Sequence, residues 1–346
     1  MNTVKDFSKL ALVLNLQLFA VQTTELNASG NDLSPEMKTY YNDRLIDLAE
    51  PKLVHDQFAD RYPIPKNGGK TIEFRKYDSL PKATTPLTEG VTPDGEKLNV
   101  TTITATVAQY GSYVQLSDVL ELTAIDNNVL QATKQMGSQA GRTLDSITRD
   151  VITAGTNVIY APKIASDGTE TVVESRSALD KTAKLTPDLI FKAAAQLDAM
   201  NAEVIDDSYV AIIHPYAKYD LMRNEEWIDV HKYTDSVDKI YKGEIGMIGN
   251  VRFVCTSEAK IFKGDGCPEG LAVFATLVIG KSAYATTEVE GGGLQHIVKQ
   301  LGYGDDPLNQ RSSTGWKAIK TAERLVEQYM VRIEACSAYS DMVNAN

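Results

Sequence analysis

Residues Thr71 to Ala161 read as one unit, a long two-stranded β-arm that runs straight into a single long helix. Thr71 to Tyr77 (TIEFRKY) alternates apolar and polar side chains, the period of a half-buried strand. Val100 to Leu116 is the returning strand, rich in Thr, Val, Ile and Tyr, which suit a pleated surface. Gly111 interrupts it and predicts a bulge or bend. Between the strands, Pro81, Pro86, Gly90, Pro93 and Gly95 forbid regular structure and set turns. Two strands alone are marginal in water, so a hairpin this long is expected to lie on a neighbour. The alternative is an ordinary surface hairpin.

The helix that follows has Asp126 or Asn127 as a candidate cap and Gly155 as a stop. Val129, Thr133, Met136, Ala140, Leu144, Ile147 and Val151 recur every three or four residues and predict one apolar stripe. From 127 to 154 such a helix is roughly 40 Å long. Gly137, Ala140 and Gly141 suggest a close backbone approach on one side.

The 346 residues suffice for two or three domains. Composition is that of an ordinary soluble domain, 43% hydrophobic and 23% charged. A net charge of −11 argues against a dedicated nucleic-acid binder but not against a protein that encloses nucleic acid without gripping it. No apolar run reaches the length of a membrane span. Cys255, Cys267 and Cys336 are odd in number and lack CxxC spacing, which points to a reducing cytoplasm rather than a disulfide framework. The apolar run from Leu10 to Ala20 superficially resembles a signal peptide; Asn15 and Gln17 break it, and an arm packed along a neighbouring surface is the preferred reading.

Ser34-Pro35-Glu36 starts a helix over 35–50, with Met37, Tyr41, Leu45 and Leu48 on its apolar face. After the long helix, Lys163 to Lys184 reads as a boundary. A second α/β region then begins with a helix at Thr186-Pro187-Asp188, a buried strand at Tyr209 to Ile213, and a short helix around Tyr219 to Arg223. Further strands are expected at Val251 to Cys255, Leu271 to Ile279, Leu294 to Leu301 and Gln328 to Glu334, with Gly302, Gly304, Pro307 and Gly315 marking turns. This order predicts a discontinuous first domain with a second inserted into it.

No convincing reactive constellation emerges. His55, His214, His231 and His296 have neither HExxH nor Hx₃H spacing. His214, at the end of an apolar strand and before Pro215, is the one candidate for a hydrolase; a hydrogen-bonded turn residue is the bland reading. Gly243 to Gly249 and Gly291-Gly292-Gly293 lack phosphate-loop spacing and read as turns. Asp206-Asp207 and Asp305-Asp306 read as solvated loop faces rather than cation sites, and Cys255 and Cys267 show no metal spacing. No catalytic, cofactor-binding or metal-ligating residue is expected.

Several stretches carry a family resemblance. Ala83 to Pro93 (ATTPLTEGVTP) resembles the arm tip of the major coat proteins typified by the tailed phage N-four. Leu144-Asp145 followed by Thr148 to Asn157 looks like the end of that family's long helix. Tyr241 to Phe253, and Asp306 to Arg311 with Gly315-Trp316-Lys317, also match, so the likeness runs from about Tyr41 to Glu334. The Asn15 to Ala20 stretch (NLQLFA) is similar to the start of some phage structural proteins.

The resemblance implies an α+β protein of the Hong Kong ninety-seven type capsid fold. Its expected division is an N-terminal arm over 1–65, an extended β-hairpin loop over 66–117, a peripheral domain over 118–185 and 292–346 with a spine helix at 127–154, and an axial domain over 186–291. It implies a major capsid protein that self-assembles into pentamers and hexamers of an icosahedral head enclosing double-stranded DNA, assembled in the host bacterial cytoplasm. Portal and possible scaffold or decoration proteins would be partners; no membrane and no sequence-specific DNA contact are expected. Arg75, Thr84, Thr85, Pro86, Glu89 and Gly90 are the candidate inter-subunit contacts, with Arg75 and Glu89 as ion-pair formers. Lys70, Lys82 and Lys97 lie in or near the arm, but no motif identifies a crosslinking set, so non-covalent overlap is expected. The alternative is a cellular compartment shell of the same fold.

Overall fold

A computed structural model describes residues 23–27, 54–92, 94–123, 128–165, 167–224, 227, 246–264 and 266–341. The expected helix at 35–50, the apolar run at 10–20, Pro93, the candidate caps Asp126 and Asn127, His231 and Gly243 lie outside these residues. The described elements, in chain order, are β1 (Thr23–Asn27), β2 (Asp60–Arg61), β3 (Thr71–Tyr77), β4 (Val100–Thr106), β5 (Ala108–Ser117), α1 (Asp118–Thr123), α2 (Asn128–Ile152), β6 (Val158–Tyr160), β7 (Lys163–Ile164) and β8 (Glu170–Thr171). They continue with α3 (Pro187–Ala199), β9 (Tyr209–Ile213), α4 (Pro215–Met222), β10 (Met247–Ile248), β11 (Val251–Cys255), β12 (Ile261–Phe262), β13 (Val273–Ile279), β14 (Tyr284–Glu288), β15 (Gln295–Lys299), β16 (Arg311–Arg324) and β17 (Met330–Ala335).

Two sheets organise the molecule. The first has the order β1-β5-β16-β14-β2, with β15 also paired to β16. Its axis is β16, which pairs with β5 from Arg311↔Ser117 to Lys320↔Ala108, with β15 along its first half, and with β14 along its second. Thr314, Trp316, Ala318, Lys320 and Ala322 are buried at every second position, so β16 keeps one face inward from Thr314 to Ala322. Helix α2, 25 residues and about 37 Å long, lies on that face, with Met136, Ala140 and Leu144 against Trp316 and Ala318. The Trp316 indole N–H donates to Gln139 Oε1 at 3.1 Å, so burying the ring leaves no unsatisfied donor.

The second sheet runs β10-β11-β9-β13-β17-β6, with β12 beside β13. Every residue of β9, β13 and β17 is buried, which requires cover on both faces. On one face, Leu189, Ile190 and Leu197 of α3 and Leu221 of α4 pack against Tyr209, Phe274 and Ile333. On the other, Ile152 at the end of α2 and Tyr284 of β14 meet Val210, Leu277 and Met330. The long helix therefore lies on the first sheet and ends against the second.

Several expectations need correction. The returning strand of the arm is two strands, because the chain breaks at buried Val107, whose N–H donates to Lys70 O; β4 pairs with β3 and β5 with β16. Gly315 is not a turn residue but the middle of β16. It sits between Tyr113 and Ile297, where a Cβ would stand 2.9 Å from Tyr113 Cβ. Gly111 is likewise a regular strand residue, its absent Cβ leaving room for Trp316 O. The strand near Gln328 to Glu334, within the range expected for the peripheral domain, pairs with β13 and β6 in the second sheet, and β14, within the range expected for the axial domain, pairs in the first. The short helix expected around Tyr219 begins four residues earlier, at Pro215.

Candidate assembly surface

Strands β3 and β4 form a two-stranded ladder from Thr71↔Thr106 to Tyr77↔Val100, hydrogen-bonded to no third strand among the described residues. Seven residues of ladder span roughly 23 Å, and the described tip residues beyond Tyr77 carry no helix or strand. Turns hold its shape: Thr84 N–H donates to Lys82 O, Val91 N–H to Thr88 O, and Gly90 takes φ 78. The tip exposes large apolar side chains in sequence, with Leu87 at 76%, Val91 at 63% and Leu98 at 67%. An exposed apolar array on a projecting element marks an interaction surface.

The root of the arm is anchored in the core. Ala105 and Val107 are buried, and the Tyr62 and Phe74 rings meet edge to face at 5.3 Å. Just upstream lies a buried polar network. His55 Nδ1 and Asp145 Oδ2 are 2.7 Å apart, and the His55 backbone N–H donates to Asp145 Oδ1 at 2.8 Å. Thr148 Oγ1 donates to Asp56 Oδ1 at 2.6 Å, and Lys320 Nζ donates to Asp56 Oδ2 and, at 3.2 Å, to Leu144 O. The Tyr284 hydroxyl donates to His55 O. Burial, reinforced by the Asp56 and Asp145 carboxylates, pushes the Tyr284 phenol well above its usual pKa, so it stays a donor. The network ties the segment entering the arm to α2, β14 and β16. The sequence names His55, Asp145 and Thr148 separately but does not bring them together; Asp145 and Thr148, polar positions one helical turn apart beside Leu144, are the legible sign.

A second buried cluster fixes the end of α2. Arg176 grips Glu334 through Nε and Nη2 at 2.6 and 2.7 Å, and Arg332 Nε donates to the same carboxylate at 2.8 Å. Arg332 Nη1 donates to Thr153 O and, at 2.8 Å, to Gly155 O, which satisfies carbonyls freed where the helix stops.

The six contact candidates fall into two places. Thr84, Thr85, Pro86, Glu89 and Gly90 lie together at the exposed tip, and Arg75 is exposed on β3. Arg75 and Glu89 are not brought together as an ion pair. His214 is not placed for hydrolysis. It is the N-cap of α4, its Nδ1 accepting the Tyr216 N–H at 3.2 Å, and its ring packs against Phe274 at 5.0 Å. Burial lowers its pKa to about 4, which keeps the ring neutral and able to accept. Asp306 is buried and accepts the Arg311 backbone N–H at 2.8 Å; Asp206 pairs with Arg252 at 3.2 Å. Among the described residues no group of three His, Cys, Asp or Glu side chains could hold a metal, and no helix is long and apolar enough to cross a membrane.

Comparison with known proteins places this architecture. The chain is similar to the capsid of Ralstonia phage GP4 at 15% identity, with a TM-score of 0.63 over 84% of this chain and 89% of that one. The Cyanophage Pam1 capsid gives 12% identity and a TM-score of 0.62 over 96% and 99%. The Cyanophage P-SCSP1u capsid gives 17% identity and a TM-score of 0.60 over 81% and 87%. No curated protein sequence matches the chain. At these identities the likeness establishes the fold, which is of the Hong Kong ninety-seven type. Residues 100–320, well over half of the chain, match the family model for phage capsid proteins, from the returning arm strand through the greater part of β16. The extent of that match makes this chain a member of the phage capsid protein family.

Proposed function

We propose that the chain is the major capsid protein of a tailed phage, assembling into the pentamers and hexamers of an icosahedral head around double-stranded DNA. The observation that carries this is the arm: a two-stranded ladder with an exposed apolar tip, rooted in a buried core and hydrogen-bonded to no further strand among the described residues. Repetition by symmetry would cover it, each subunit burying more than roughly 2,000 Å² across several contacts. Thr84, Thr85, Pro86, Glu89 and Gly90 are the proposed contacts at the tip and Arg75 on the arm strand. Arg75 and Glu89, exposed and without an ion pair among the described residues, are each proposed to form ion pairs across subunits. The division into an extended loop built on β3 and β4, a peripheral domain carrying α2 and the first sheet, and an axial domain around the second sheet belongs to the same reading. The −11 net charge suits a wall that repels DNA and leaves it mobile. Portal, scaffold and decoration proteins are the further partners, and the host cytoplasm is the place of assembly.

Expression with the structural genes that flank it, followed by gradient purification and electron microscopy, tests this reading. Uniform polyhedral shells built mainly of this chain are expected. A chain that stays monomeric under those conditions contradicts it. DNA-packaging genes in that neighbourhood, rather than a cargo enzyme, distinguish the phage head from a compartment shell.

A further inference from the structure

Lys320 and Asp56 bring an amine and a carboxyl group together in a site nearly closed to water, their side chains 3% and 9% exposed. Lys320 Nζ lies against Asp56 Oδ2 and also donates to Leu144 O at 3.2 Å, while Thr148 Oγ1 donates to Asp56 Oδ1 at 2.6 Å. His55 and Asp145, the next residues to Asp56 and Leu144, bond to each other at 2.7 and 2.8 Å, so the two segments are locked in register around the pair. A buried ion pair gains little net stability, because desolvating both charges offsets their attraction. The surroundings match an amide in its place. One acceptor, Leu144 O, stands by the nitrogen, and one donor, the Thr148 hydroxyl, stands by the oxygen that would remain. An amide here leaves no polar atom unsatisfied and no charge buried.

We propose that Lys320 Nζ and Asp56 Cγ condense to an isopeptide bond within the chain. One proton passes from the ammonium to Oδ2, leaving a neutral amine against a carboxylic acid. The nitrogen lone pair attacks Cγ, and the Thr148 hydroxyl stabilises the negative charge that develops on Oδ1. A second proton moves from nitrogen to Oδ2, the Cγ–Oδ2 bond breaks, and one water leaves. The remaining N–H keeps its bond to Leu144 O. Condensation is unfavourable in open water, but groups held in contact react as if at ~10⁵ M or more, and a site nearly closed to water slows the return by hydrolysis. The bond joins the segment that enters the arm to β16, 264 residues further on. It lies within one chain and does not depend on assembly.

Intact-mass measurement and peptide mapping of the purified full-length chain, its fold checked by circular dichroism, test this. A mass one water below that of the sequence is expected, with the tryptic peptide carrying Asp56 joined to the one carrying Lys320 and no cleavage after Lys320. Lys320→Met should restore the full mass. Thr148→Val should slow closure about a hundredfold, followed as the linked fraction over time after cell-free synthesis. A folded chain of full mass that yields separate Asp56 and Lys320 peptides overturns the proposal and leaves an ion pair. A water loss mapped to any other residues overturns it equally. Closure as fast in Thr148→Val as in the unsubstituted chain removes Thr148 from the reaction and contradicts the mechanism.

Discussion

His55 and Asp145, ninety residues apart in sequence, meet without solvent access, the imidazole Nδ1 2.7 Å from one carboxylate oxygen and the backbone N–H of His55 donating to the other at 2.8 Å. One side chain thus fixes both the ring and the backbone of the segment that leads into the arm. Asp145→Ala would strand both partners in a dry site. A loss of about 3 kcal/mol is expected, read as a lower urea midpoint; a change below about 0.5 kcal/mol would show that the pair does not anchor the segment.

Lys320 and Asp56 form the neighbouring buried pair, almost fully enclosed and shared with Thr148 and Leu144 O. Lys320→Met leaves Asp56 charged and buried without its cation, an expected cost of about 3–5 kcal/mol. Adding Asp56→Leu removes that uncompensated charge, so the double variant should be more stable than Lys320→Met alone. A double-mutant cycle in chemical denaturation measures this coupling, and simple additivity would rule it out.

His214 gives stability a pH dependence with a definite sign. Its folded pKa is about 4 against an ordinary 6.5, so between those values the unfolded chain holds the extra proton. Its contribution is complete above pH 6.5 and is lost as pH falls toward 4. His214→Asn keeps an acceptor at the N-cap and removes the titration. The slope of denaturation midpoint against pH in that window should flatten in the variant; an unchanged slope would exclude His214 as its source.

Gly315→Ala places a Cβ 2.9 Å from Tyr113 Cβ and 3.0 Å from Ser112 O, both on the paired strand. A destabilisation of about 1–3 kcal/mol follows from forcing the ladder apart. Gly95→Ala, where a Cβ meets nothing within 4 Å, serves as the control and should be close to neutral. Calorimetry of the two variants checks the contrast.

The first arm strand, the long helix and the buried strands at Tyr209 to Ile213 and Val251 to Cys255 were legible because their periodicities are clean and no proline interrupts them. Strand β16, the axis of the first sheet, was not. Its Gly315 is a packing requirement set by Tyr113 on another strand, and local reading takes such a glycine for a turn. Lys320 at an inward position further weakens the alternation, because its partner Asp56 is 264 residues away. Sheet membership was equally out of reach: β14 and β17 exchange places relative to the expected division, and only pairing partners distant in sequence decide that. Within the candidate surface, the tip was readable from prolines and glycines, whereas the network at its root required the fold.

Removal of Thr84 to Gly95 tests the central claim most directly. The described residues of this segment lie beyond the paired strands and in none of the three hydrophobic clusters, so the shortened chain is expected to fold with an unchanged circular dichroism spectrum. Electron micrographs of full-length and shortened chains, prepared side by side, should show closed shells only for the full-length protein. Normal closed shells from the shortened chain would contradict the account.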